Sequence, residues 1–226
     1  MEYLTNYKHP NKPSLVVLTG SHLYGVTNEY SDMDYRGFTL PTADQVFGLE
    51  NFEQHESKDP DVVIYNYTKF LNLVERGSPN MTELLFVPKD NILVCDTIAQ
   101  QILDNREKFI SRKWVSAYIG FSESEIQKYA YDRNNVKSAY HAVRILSYIR
   151  DILFEKQINF KDTQVIELLK KIRNETISYT DVLNQYSCLF QLVKDLERKN
   201  PFPENPDREF IKDMKREVYY SIIKSA

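Results

Sequence analysis

The side chains best suited to chemistry are concentrated near the N-terminus, in Gly20-Ser21-His22-Leu23-Tyr24-Gly25 and, after a spacer, Ser31-Asp32-Met33-Asp34-Tyr35-Arg36-Gly37. Side chains on a strand alternate between faces, so Asp32 and Asp34 point the same way and bring two carboxylates close together. Like charges at that separation need a cation. Hard divalent ions such as Mg²⁺ accept oxygen donors of this kind and keep open positions for water and substrate phosphates. A Gly20-Ser21 turn between a strand and a helix start offers backbone N–H groups and a hydroxyl to an anion. The two halves together describe a phosphate-plus-metal site.

An acidic pair spaced by one residue is weak on its own, and Asp59-Pro60-Asp61 and Glu123-Ser124-Glu125 are further examples in this chain. A calcium loop matches Asp32, Asp34 and Gly37 at its first, third and sixth positions. It fails because Arg36 takes a ligand position and Ala43 stands where the bidentate glutamate belongs. The distinguishing feature is the joint arrangement: strand, Gly-Ser, spacer, Asp-x-Asp on a strand, then a further strand opening with a carboxylate.

The elements that must hold these residues are legible from pattern. Leu15-Val16-Val17-Leu18-Thr19 is a short apolar, β-branched run ending at Gly20-Ser21, which predicts a buried strand and a turn, with a helix opening after Ser21. Residues 33–40 predict a second strand stopped by Pro41, and Val62-Val63-Ile64-Tyr65 a third. From Tyr67 the period becomes helical, with Phe70, Leu71, Leu73 and Val74 on one face until Gly77-Ser78-Pro79-Asn80. Apolar residues then recur with helical spacing over 97–109, 112–129, 136–154, 163–173, 180–197 and 207–223, with no return of strand signals. Asp96 or Thr97, Asp162 or Thr163, and Thr180 are the expected caps. A loop is expected over 200–206. The expected fold is α+β: a small N-terminal domain with a mixed β-sheet over 1–95, then an all-helical domain over 96–226 packing on the active-site cleft.

Composition narrows the class. The 226 residues are 42% hydrophobic and 13% aromatic, sufficient for a substantial core and unlike a disordered chain. With 29 Lys and Arg against 32 Asp and Glu the net charge is -3, so the whole chain is not drawn to nucleic acid. Cys95 and Cys188 lack metal-type spacing and are expected to be buried small residues of a protein in a reducing compartment. No apolar run approaches a bilayer span and residues 1–12 are polar and mixed, so a soluble cytoplasmic protein without membrane partners is expected.

The string from Gly20 to Gly25 and on through Asp32-Met33-Asp34 to Gly37 resembles the signature of the DNA polymerase β-like nucleotidyltransferase superfamily. It is most similar to the branch of predicted nucleotidyltransferases named for an RNA repair pathway in bacteria and phages. Lys69-Phe70, Ser78-Pro79-Asn80 with Glu83-Leu84-Leu85-Phe86, then Lys137, His141 and Arg144, and late Pro201-Phe202-Pro203-Glu204 with Asp207, agree with that branch. The resemblance implies that Asp32 and Asp34 bind two Mg²⁺ or Mn²⁺ ions and that a third carboxylate completes the catalytic set. Asp61, which opens its strand, is the candidate, and Asp59 is its rival.

The implied reaction moves a nucleotidyl group from a nucleoside triphosphate to a hydroxyl, with an RNA end as the first acceptor to consider. Gly20 and Ser21 would hold phosphates. Lys137, His141 and Arg144, at i, i+4 and i+7, share one helical face and supply candidate cations, or else form a solvated stripe. Arg36 either pairs with Asp34 or reaches substrate. Tyr24 and Tyr35 stack a base or simply pack. Lys69 is read as solvent-facing, Glu83 as internally paired or capping, and Trp114 as core. Arg112-Lys113 and Lys170-Lys171 with Arg173 contact a nucleic-acid backbone or are solvated faces. Two other functions fit the same residues: transfer of a nucleotide to a protein hydroxyl, and a non-catalytic nucleotide- or RNA-binding module.

Overall fold

Five strands form one sheet in the order β3-β4-β2-β1-β5. In the computed structural model, which describes residues 4, 7–27, 29 and 31–226, these are β1 (Pro13–Leu18), β2 (Asp34–Thr39), β3 (Gln54–Lys58), β4 (Asp61–Asn66) and β5 (Ile92–Cys95). Met1, Glu2, Tyr3, Thr5 and Asn6 of the polar start, and Asn28 and Tyr30 of the spacer, lie outside the described residues. β1 pairs antiparallel with both β2 and β5, β2 runs parallel to β4, and β3 closes the other edge antiparallel to β4.

The first 95 residues thus contain two strands that the pattern did not announce. Gln54-His55-Glu56-Ser57-Lys58 carries no apolar alternation, because as an edge strand it buries little and its charges guard an unpaired edge. Ile92–Cys95 is four residues long and stands at the opposite edge, where strand signals had been expected to have ceased.

Both faces of the sheet are covered, which explains why β1 is apolar without alternation. On one face Val16, Tyr35, Val62 and Ile64 form a cluster against Leu4, Tyr7, Leu18 and Val94. On the other, Phe38 stacks on Phe70 with ring centroids 4.6 Å apart and meets Tyr67 at 5.7 Å, both from α3 (Tyr67–Glu75). Asn66 caps α3 by accepting from the Thr68 N–H, and Gly77 ends it in the left-handed region. The helix expected after Ser21 is a single turn, α1 (Gly20–Leu23). Thr42 and Gln45 form a capping box around α2 (Ala43–Val46). α4 (Pro79–Thr82) leads into a 3₁₀ turn over Glu83–Phe86.

The chain divides into two compact units, Met1–Phe109 with Pro206–Ala226, and Ile110–Asn205. This differs from a division at residue 95. α5 (Thr97–Asp104) buries Ala99, Ile102 and Leu103 and packs on β1 and β5, so it belongs with the sheet. The last helix, α10 (Arg208–Ser225), also returns to that unit. Its Ile211, Met214 and Val218 are buried, Phe210 meets the Phe109 ring edge-on at 6.0 Å, and Lys215 donates to Asn72 of α3 at 2.8 Å.

The second unit comprises α6 (Arg112–Tyr131), α7 (Val136–Glu155), α8 (Thr163–Arg173) and α9 (Tyr179–Glu197). α7 is buried around most of its circumference because α6, α8 and α9 all pack on it. Trp114 is core, 4.3 Å from the Tyr118 ring. Asp96 and Asp162 are the caps of α5 and α8, whereas α9 starts from Ser178 rather than Thr180. Arg112, a candidate phosphate contact, instead donates to the Phe202 carbonyl at 3.0 Å and ties down the Pro-rich loop. Cys95 and Cys188 are both exposed, contrary to expectation, since each falls on an outward position of an edge strand or a helix. Among the described residues no helix is long and apolar enough to cross a membrane.

Gly37 lies tight against β1. A Cβ there would meet the Leu15 carbonyl oxygen at 1.9 Å, a contact that only backbone movement relieves. Gly37→Ala is expected to destabilise the sheet by at least the ~1–3 kcal/mol of ordinary overpacking, read as a lowered denaturation midpoint at unchanged slope.

Candidate active site

The parallel pairing of β2 with β4 sets Asp34 directly beside Asp61, with Tyr35 opposite Val62 and Arg36 opposite Val63. Asp34, Arg36, Asp61 and Val63 therefore share the face that carries Phe38 further along. Asp59 lies in the exposed turn before β4 and has no such register partner.

The turn preceding β2 is fastened to the same point. The Thr19 N–H and hydroxyl both donate to the Asp34 carbonyl, at 2.8 and 3.1 Å. Gly20 follows at φ 63, in the left-handed region, and a Cβ there would fall 1.7 Å from Asp34 Oδ2. Only glycine allows this backbone to lie against the carboxylate. The Gly20 carbonyl accepts from the Tyr24 N–H and the Ser21 carbonyl from the Val26 N–H, so residues 20–26 form a closed turn.

Electrostatics separate the two carboxyl groups. Burial raises the Asp34 pKa, and the hydrogen bond and charge of Asp61 together with the charge of Asp32 raise it further, against the pull of Arg36. Asp61 is also pushed up by burial, but hydrogen bonds from Arg36 and Asp34, with the Arg36 charge, bring it below the usual carboxylate range. Asp34 thus keeps its proton to higher pH and shares it with an ionised Asp61. The Arg36 guanidinium donates to Asp61 Oδ2 at 2.8 Å and to the Asp61 carbonyl at 3.2 Å, so its carboxylate partner is Asp61, not Asp34. Asp32 is exposed and lies two residues before the strand begins, so the strand alternation expected to put it on one face with Asp34 does not reach it.

The remaining candidates are distributed as follows. Ser21 and His22 are half-buried on α1, and His22 Nε2 is enclosed without a hydrogen-bond partner. Tyr35 sits in the core with its hydroxyl on Met33 Sδ at 3.0 Å. Tyr24 donates to Glu83 at 2.6 Å, and Lys69 pairs with Glu53 at 2.8 Å.

In the second unit, Lys137, His141 and Arg144 lie along α7 but do not form an exposed stripe. Lys137 is exposed, His141 is half-buried, and Arg144 is buried with its guanidinium 5.6 Å from the Tyr148 ring centroid. Burial lowers the His141 pKa to about 4, reinforced by the Arg144 charge and opposed by Glu125. Glu125, marked in the sequence only as one of a weak acidic pair, is itself buried on α6. Burial raises its pKa, yet hydrogen bonds from Lys128 and Ser138 bring it below its ordinary value. Its i+3 spacing to Lys128 was the available signal.

Converging carboxylates on neighbouring strands, with a glycine turn packed on one of them, are the frame of a polymerase β-like nucleotidyltransferase. A family model described as the RNA repair pathway DNA polymerase beta family (RlaP) matches residues 7–188, and the chain belongs to that family. It is similar to an uncharacterized 38.9 kDa protein of the nrdC-mobD intergenic region of Enterobacteria phage T4, 24% identical over 144 residues. That match covers 58% of this chain and 42% of the phage protein, so the chain spans less than half the length of this relative. Among solved structures, the nucleotidyltransferase-like protein from Exiguobacterium sibiricum 255-15 is 10% identical with a TM-score of 0.34, covering 88% of this chain and 71% of that one.

A neutral His141 gives the second unit a measurable signature. Its folded pKa lies below the unfolded value of about 6.5, so its protonation destabilises the fold as pH falls from there toward 4. An NMR titration is expected to find the His141 ring still neutral at pH 5.5, with a midpoint near 4; a midpoint above 6 would contradict the burial described here.

Proposed function

We propose that this chain is a metal-dependent nucleotidyltransferase that moves a nucleoside monophosphate from a nucleoside triphosphate to a hydroxyl on an RNA end. The observation that carries the reading is the hydrogen-bonded Asp34 and Asp61 pair, set side by side by parallel register with the Gly20 backbone against it. Support for RNA as acceptor comes from the description of the family to which the chain belongs.

The donors present suit Mg²⁺ or Mn²⁺. They are carboxylate oxygens only, and those of Asp34 and Asp61 are brought side by side by the parallel register. Among the described residues no three His, Cys, Asp or Glu side chains are gathered closely enough to hold a metal ion. Asp34 and Asp61 are accordingly the preassembled donors, and Asp32, whose charge already acts on Asp34, is the third. Divalent ions bound there would lower the pKa of an attacking hydroxyl and neutralise charge on the phosphates.

The chain's own residues divide the remaining work. The acceptor hydroxyl oxygen bonds to the α-phosphorus, the bond to the α,β-bridging oxygen breaks, and pyrophosphate leaves with that electron pair. The hydroxyl proton passes to Asp61, which Arg36 keeps ionised. Gly20, Ser21 and the amides of the turn orient the β- and γ-phosphates, with Tyr24 and Arg36 at the rim of that turn and strand.

The test is label transfer and pyrophosphate release from each ribonucleoside triphosphate with Mg²⁺ or Mn²⁺, offering total RNA. Label is expected on RNA, falling by about a hundredfold or more in Asp34→Asn and Asp61→Asn. Label on polypeptide would redirect the activity to proteins, and triphosphate binding without transfer to either would leave a binding module.

Metal binding has its own readout. In Mn²⁺ titrations followed by electron paramagnetic resonance, Asp34→Asn is expected to weaken binding. Arg36→Gln is expected to tighten it by up to about fivefold, the worth of a partly exposed ion pair that no longer competes for Asp61.

A further inference from the structure

Glu83 is the most enclosed carboxyl-bearing side chain among the described residues, with 2% of its surface exposed. It opens the 3₁₀ turn Glu83–Phe86, within a run from Met81 to Val87 that is buried at every position. Placing a carboxylate in such a run is costly unless donors reach it. One donor is the Tyr24 hydroxyl, 2.6 Å from Glu83 Oε2, the length of a hydroxyl-to-carboxylate bond. Tyr24 caps α1, its N–H bonds the Gly20 carbonyl, and Gly25 follows at φ 68. The two partners are 59 residues apart in sequence, so the bond ties the turn to a separate buried segment.

We propose that Glu83 is a positioning residue: acting through Tyr24, it holds the Gly20–Gly25 turn in the shape that receives the β- and γ-phosphates of a nucleoside triphosphate. This rests on the nucleotidyl-transfer reading above and adds to it the residue that preorganises the phosphate contact. Burial of the Leu23 and Val26 side chains fixes one side of the turn; the Tyr24 hydroxyl bond fixes the other. Without it the backbone amides and Ser21 would sample several orientations, and order would have to be restored on binding.

Tyr24→Phe removes the bond and keeps the ring, while Glu83→Gln keeps an acceptor and the buried volume. Affinities are measured by calorimetry for the α,β-methylene analogues of the four ribonucleoside triphosphates and for the matching monophosphates. Tyr24→Phe is expected to weaken triphosphate binding by about tenfold or more, the scale of one hydrogen bond to a charged group, and to change monophosphate binding by less than about twofold. Glu83→Gln is expected to retain most of the affinity. The double variant should lose no more than Tyr24→Phe alone, because both act through one bond. Hydrogen exchange of the amides over 20–26 should accelerate in Tyr24→Phe.

Equal weakening of triphosphate and monophosphate, or a lowered Tm at unchanged triphosphate affinity, would overturn the proposal and leave a structural hydrogen bond. Absence of triphosphate binding by the native chain would overturn the nucleotidyl-transfer reading itself, and this proposal with it.

Discussion

Two carboxyl groups in hydrogen-bond contact on adjacent strands cannot both be fully charged unless something positive joins them, and the architecture of the first unit follows from keeping Asp34 and Asp61 in that position. A one-residue slip of β4 against β2 would turn Asp61 to the opposite face and Val62 out of its cluster. The register is therefore guarded by burial. Val62 and Ile64 are fully enclosed with Val16 and Tyr35 on one side, and Phe38 is locked against Phe70 and Tyr67 on the other. Hydrophobic packing that has no part in the chemistry thereby sets the distance between the two acids.

The same packing brings backbone to the acids. Gly37 lets β1 lie close against β2, and Thr19 then bonds twice to the Asp34 carbonyl, so the turn at Gly20 begins on the carboxylate itself. Arg36, two residues along the strand from Asp34, reaches across to Asp61 and helps to set the pair apart, Asp34 shifted above the ordinary carboxylate range and Asp61 below it. Environment has shifted two chemically identical side chains in opposite directions, which is the usual preparation for proton transfer and for metal binding.

The helical unit is organised on another principle. α7 is enclosed by three helices, so polar groups placed along it are withdrawn from water and tuned by one another. His141 is held neutral by burial and by Arg144, and Glu125 is held ionised by Lys128 and Ser138. Membership of the RNA repair pathway DNA polymerase beta family covers residues 7–188, and so takes in the sheet, α6, α7 and α8 as well as the carboxylate motif.

Much of this was written locally. The Gly-Ser turn, the caps Asp96 and Asp162, and the extent of α8 depend on residues a few positions apart, and the sequence alone determined them. Edge strands escaped because an edge buries little: Gln54–Lys58 has no apolar signal, and Ile92–Cys95 is too short to carry one. Tertiary structure alone decided that Asp61, not Asp59, stands beside Asp34, and that Arg36 turns to Asp61. It also decided that Tyr24 meets a buried Glu83 and that α10 returns to the unit that holds the sheet. Each of these joins segments distant along the chain, and such pairings are chosen by the surfaces that are buried together, which no short stretch of sequence contains.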